Sequence, residues 1–129
     1  MHLGFNSYKV VMTTLVLGAS TNIQRYSNIA IKKLLLNKID VKAIGLKVGV
    51  VENILIEKHL FKFKNIHTVS LYINKLIQKE YYDYIISLKP KRVIFNPGTE
   101  NPDFYRILKS NHISYLEACT LVLLSTNQY

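Results

Sequence analysis

The chain has 129 residues, which suits one domain with a sizeable core and not a second. A hydrophobic fraction of 49% against 19% charged excludes a disordered chain, and no apolar run reaches the ~18 residues of a membrane span. With 17 Lys and Arg against 8 Asp and Glu, the formal charge of +9 favours anionic partners, either a phosphate-rich cofactor or nucleic acid.

Residues 1–11 lack a charged region followed by an uninterrupted apolar stretch, which speaks against export. Met12 directly precedes the first strand, so 1–11 are expected to be an extension and 12–129 the folded domain. Thr13–Leu17 is apolar or β-branched throughout, as in a buried strand. It runs into Gly18-Ala19-Ser20-Thr21-Asn22, and a helix is predicted over Ser27–Asn37 from the spacing of Ala30, Ile31, Leu34 and Leu35. That order places free backbone N–H groups and a positive helix end at the mouth of a sheet, where phosphates bind.

Val41–Leu46 reads as a second strand, with Gly45 and Gly49 punctuating the loop beyond it and Asn53–Ile56 as a short edge strand. His67–Ile73 is a further strand. A helix is predicted over Asn74–Leu88, with Ile77, Tyr81, Tyr84, Ile85 and Leu88 on its packed face and Tyr82 off it. Pro90 closes that helix, and Arg92–Asn96 is a strand ending at Pro97-Gly98. Asn101 as N-cap, Pro102 at the first helical position and Asp103 in the first turn start another helix. Ile113–Leu116 is the last strand, and Thr120–Leu124 a short terminal helix or turn.

Strands alternating with helices imply right-handed βαβ units, hence a three-layer Rossmann-like α/β fold with a mainly parallel sheet and helices on both faces. Ligands of such sheets bind at the strand carboxyl ends, where the loops after Leu17, Leu46 and Asn96 are expected to meet. Gly18-x-Ser20-x-x-Ile23 fails the dinucleotide fingerprint at two of its glycines. Asp40 has the separation of an NAD ribose-binding carboxylate but starts strand two, at the wrong end of the sheet. Lys47, beyond the carboxyl end of that strand, suits a ribose phosphate instead. NAD is therefore disfavoured, and NADP and coenzyme A remain.

Gly18-Ala19-Ser20 with Arg25-Tyr26-Ser27, the Asn96-Pro97-Gly98-Thr99 turn and the ending Glu117-Ala118-Cys119-Thr120-Leu121 resemble the small stand-alone CoA-binding-domain proteins. That family is similar to the CoA-binding domain of succinyl-CoA synthetase and acyl-CoA synthetases. The resemblance covers roughly residues 13–126 and implies a Rossmann-like fold with its CoA pocket at the first glycine turn. It implies that Gly18, Ala19, Ser20, Thr21 and Asn22, with the first helix, hold the pyrophosphate and that Arg25 is a charge partner. Lys47 would lie near the ribose, and Asn96, Pro97, Gly98 and Thr99 would flank the pantetheine. The phosphohistidine and ATP-grasp domains of the larger enzymes have no room here, so ligase activity is not implied. The chain departs from the family at the end of strand two, where a Pro is common and Gly45-Leu46-Lys47 stands.

No residue earns a catalytic or metal-binding role. Cys119, the single cysteine, reads first as a small buried hydrophobe and only second as a thiol partner for CoA; it also excludes an internal disulfide and fits a reducing cytoplasm. His2, His59, His67 and His112 show no zinc spacing, and Glu100 and Glu117 stand at the ligand end without a partner. The Tyr81-Tyr82-Asp83-Tyr84 cluster fits helix packing better than base stacking, and the basic residues are scattered along the chain, which argues against nucleic acid. The expectation is a cytoplasmic, non-catalytic binder of CoA or an acyl-CoA, with a small nucleotide ligand, no membrane partner and any protein partner open. An NADP-linked reductase or small acyl-transfer enzyme, and a basic nucleic-acid module, are the alternatives.

Overall fold

The computed structural model describes residues 12–129; the expected extension 1–11 lies outside the described residues. Strands β1 (Thr13–Leu17), β2 (Asp40–Ile44), β3 (Gly49–Val51), β4 (Ile54–Glu57), β5 (Ile66–Leu71), β6 (Arg92–Phe95) and β7 (Ser114–Glu117) form one sheet, ordered β3-β4-β2-β1-β5-β6-β7. Every neighbouring pair is parallel except the β3–β4 hairpin. β1 lies centrally and all of it is buried, which is why its sequence is a continuous run rather than an alternation.

Helices α1 (Tyr26–Leu36) and α5 (Thr120–Ser125) cover one face, where Ile31, Leu34 and Leu124 meet Val16, Val41 and Ala43. Helices α3 (Tyr82–Leu88) and α4 (Pro102–Ser110) cover the other, packing Ile85, Leu88, Phe104 and Leu108 on Leu15, Leu17, Val69 and Phe95. The result is a three-layer Rossmann-like α/β fold. From β1 the chain first builds outward through α1 to β2, then returns to place β5 on the other side of β1. That reversal makes the carboxyl ends of β1 and β5 the switch point, where such sheets open a crevice. Among the described residues no helix is long and apolar enough to cross a membrane.

The helix predicted over 74–88 is broken. Asn74 caps a short helix α2 (Lys75–Gln78), a 3-10 turn follows over Lys79–Tyr81, and α3 then begins. The break follows from Gln78, whose side chain is fully buried and donates to the carbonyls of Ile73 (2.8 Å) and Thr99 (2.7 Å). A polar anchor thus orients this first turn, leaving Ile77 43% exposed instead of packed. Tyr82 does pack: its ring stacks on Phe104 at 4.2 Å and its hydroxyl accepts from Asn101 at 2.7 Å. The segment read as an edge strand, β4, is interior, because Gly49–Val51 folds back beside it as the true edge.

Candidate functional site

At Gly18 the chain leaves β1 with φ +98, and a Cβ there would stand 2.9 Å from the Tyr72 carbonyl oxygen, so only glycine fits. The N–H groups of Gly18 and Ala19 both donate to the Ile44 carbonyl at 2.9 Å. A Cβ on Gly45 would meet the Ala19 carbonyl at 2.1 Å, and one on Gly49 the Thr21 methyl at 2.5 Å. The glycine turn is therefore gripped between the ends of β2 and β5. Lys47 is exposed on the connection from Gly45 to Gly49, the two glycines that approach the turn.

Beyond Ala19 the loop braces itself. The Ser20 hydroxyl accepts from Asn22 N–H at 3.0 Å, and the Asn22 side chain accepts from Gln24 N–H at 2.9 Å. Asn28, buried in the first turn of α1, donates to the Ser20 carbonyl at 2.9 Å, while its own Oδ1 is buried without a partner. The start of α1 stays open: Arg25, at the N-cap, makes no side-chain cap, and its first turn holds no acidic residue. Among the described residues the N–H groups of Ser20, Thr21, Ile23, Tyr26 and Ser27 find no hydrogen-bond acceptor. An uncapped helix start and a bare loop present partial positive charge, with the Arg25 guanidinium beside them, which suits an anion. The start of α4 differs, since the Asn101 side chain accepts from Phe104 N–H at 3.3 Å.

The turn after β6 is positioned from inside. Asn96, buried, donates to Ser70 Oγ and the Leu71 carbonyl at 3.0 Å and accepts from Thr120 N–H at 2.8 Å. Thr99, also buried, donates through its hydroxyl to the Asn96 carbonyl at 2.8 Å. Pro97 and Gly98 are exposed at the tip, and Gly98 N–H donates to the Glu100 carboxylate at 3.0 Å. Gln78 joins this turn to the loop after β5, and that loop touches Gly18.

Gly18, Ala19, Ser20, Thr21 and Asn22 thus form one turn with Arg25 at the helix start behind it. Lys47 lies on the connection that meets the turn through Gly45 and Gly49, and Pro97 and Gly98 are reached through the β5 loop. The polar side-chain atoms of Asn96 and Thr99 are engaged within the fold. Sequence reasoning missed Tyr72, Ile73 and Gln78, because nothing in the order of elements announces that β5 sits against β1. Burial raises the pKa of the Tyr72 phenol, whose hydroxyl has no hydrogen-bond partner while the neighbouring Ser70 and Thr120 hydroxyls bond each other at 2.8 Å. Glu117 accepts from the Tyr105 hydroxyl at 2.7 Å, and burial together with that carboxylate keeps the phenol protonated. Cys119 is half-buried at the start of α5. A shallow depression of about 400 Å³ lined by Lys109, His112, Ile113, Ser114 and Tyr115 lies where β7 begins, at the opposite end of the sheet.

The chain is 40% identical to an uncharacterized protein of known crystal structure, with a TM-score of 0.90 over 94% of this chain and 100% of that one. A hypothetical protein from Pyrococcus horikoshii OT3 (22% identity, TM-score 0.80, 92% and 84% covered) has the same fold. So does a Thermus thermophilus protein (17% identity, TM-score 0.80, 92% and 91% covered). No curated protein matches the sequence. The sequence model of a family described as a CoA binding domain matches residues 12–125, a span that takes in every element from β1 to α5. The chain belongs to the CoA-binding-domain family.

Proposed function

We propose that this protein binds coenzyme A or an acyl-CoA without transforming it. The observation that carries the reading is the donor set at the switch point: an uncapped α1 start, the N–H groups of Ser20, Thr21, Ile23, Tyr26 and Ser27 without an acceptor among the described residues, and Arg25 at the N-cap. The pyrophosphate lies on the Gly18–Asn22 turn and the first turn of α1. Lys47 meets the ribose phosphate, and Pro97 and Gly98 flank the pantetheine, their turn held by Asn96 and Thr99. The spare acceptor on Asn28 suits a hydroxyl or water donor at the same loop.

The non-catalytic part of the reading rests on how the nearby carboxylates are used. Glu100 accepts from Gly98 N–H and Glu117 from Tyr105, so each serves local structure rather than standing as a free base. Calorimetric titration with CoA, acetyl-CoA and NADP tests the proposal. Saturable binding of CoA tighter than that of NADP is expected. Absence of heat and of thermal stabilisation with CoA would sink it.

A further inference from the structure

We propose that the crossover from β4 to β5, with the open sheet face beside it, docks on an anionic membrane surface. β4 and β5 run parallel, and a connection between parallel strands is usually a helix. Here residues 58–65 carry none. Phe61 N–H donates to the His59 carbonyl and Phe63 N–H to the Phe61 carbonyl, both at 3.0 Å, giving consecutive three-residue turns. His59, Phe61 and Phe63 line up as a row of rings with centroids 5.0 and 6.0 Å apart. Phe63 anchors the row in the core, while Leu60 and Phe61 remain 40% and 44% exposed.

Lysines surround this apolar ridge. Lys58, Lys62 and Lys64 alternate with its rings and are exposed, and Lys42 Nζ stands 5.9 Å from the Phe63 ring. Lys42 marks a part of the sheet that the short crossover leaves bare. Leu55 precedes Ile56, the partner of Ala43, so it stands beside Lys42, and it faces Val50 across the hairpin. Leu55 is 49% and Val50 59% exposed. Among the described residues no carboxylate pairs with these lysines; the ion pair present is Arg106–Asp103, on α4.

Apolar groups interleaved with unpaired lysines match the layering of a bilayer surface, with Leu60 and Phe61 at the acyl boundary and ammonium groups among anionic headgroups. Nucleic acid fits less well, because most of the exposed apolar surface here is aliphatic, Leu60, Leu55 and Val50, and offers no ring on which bases stack. A second copy of the chain would set +9 against +9. The absence of a spanning segment does not bear on docking of this kind, which needs none.

Co-sedimentation of the full chain with vesicles decides the matter, using phosphatidylcholine alone and phosphatidylcholine mixed with phosphatidylglycerol. Binding to the mixed vesicles only, weakening as salt rises, is expected. Replacing Lys62 and Lys64 with Gln should lower it roughly 25-fold, about fivefold per lysine. Phe61→Ser should lower it about tenfold, and Leu60→Ser gives a second reading if the first variant unfolds. No binding, equal binding to both vesicles, or binding indifferent to both apolar changes would overturn the proposal. Tighter capture of a single-stranded oligothymidine that the same changes abolish would overturn it in favour of nucleic acid.

Discussion

A Cβ added to Gly45 would lie 2.1 Å from the carbonyl oxygen of Ala19, so the end of β2 and the glycine turn after β1 meet backbone to backbone. Neither side can give way easily, because Gly18 and Ala19 N–H are also bonded to Ile44. Gly45→Ala should therefore displace the turn rather than a side chain. A stability loss of about 1–3 kcal/mol is expected from urea unfolding, with CoA affinity falling at least tenfold by calorimetry. Wild-type affinity in a folded Gly45→Ala protein would refute the idea that this turn holds the ligand.

Lys47 is exposed on the connection from Gly45 to Gly49, where a ribose phosphate would arrive. Lys47→Gln should weaken CoA binding about two- to fivefold, the scale of one exposed charge pair, and leave dephospho-CoA unaffected. An equal loss for both ligands would place Lys47 elsewhere on the nucleotide.

Asn96 is the inner latch of the β6 turn, and its amide serves Ser70, Leu71 and Thr120 together. Asn96→Ala leaves buried partners unsatisfied and should destabilise the protein by about 2–4 kcal/mol. Thermal and urea unfolding measure this. If Asn96 instead contacted ligand alone, stability would hold and affinity would drop.

His67, near the start of β5, has its pKa lowered, by burial first and then by the charges of Arg92 and Lys91. Its ring Nδ1 stands 2.9 Å from the Thr68 hydroxyl. A histidine whose folded pKa falls below its unfolded value of about 6.5 takes up protons on unfolding. Its contribution is therefore complete above pH 6.5 and is lost as the pH falls below that value. His67→Gln should flatten the acid side of the stability curve. The midpoint of urea unfolding at pH 5 and pH 7.5 should differ less in the variant than in the parent.

The sequence alone fixes the fold class and the position of the first loop. β1 is legible because burial on both faces turns a strand into an unbroken apolar run, and α4 because Asn101, Pro102 and Asp103 are local signals acting within one turn. Asp40 is likewise readable: it stands at the amino end of β2, where it accepts from the Thr13 hydroxyl at 2.6 Å, far from the strand carboxyl ends. The departure of Gly18-x-Ser20-x-x-Ile23 from the dinucleotide fingerprint is local in the same way.

Tertiary structure decides what depends on neighbours distant in sequence. Gln78 breaks the expected long helix because its partners are the carbonyls of Ile73 and Thr99, which helical periodicity cannot see. Tyr82 packs because Phe104 stands opposite it. β3 becomes the edge because a two-residue turn at Glu52-Asn53, with Glu52 at φ 55, folds it back on β4. The β5 loop enters the candidate site only because strand order reverses at β1, and the bare face beside Lys42 exists only because the following crossover lacks a helix. Local sequence encodes which backbone each segment prefers; only packing fixes which segments share a surface.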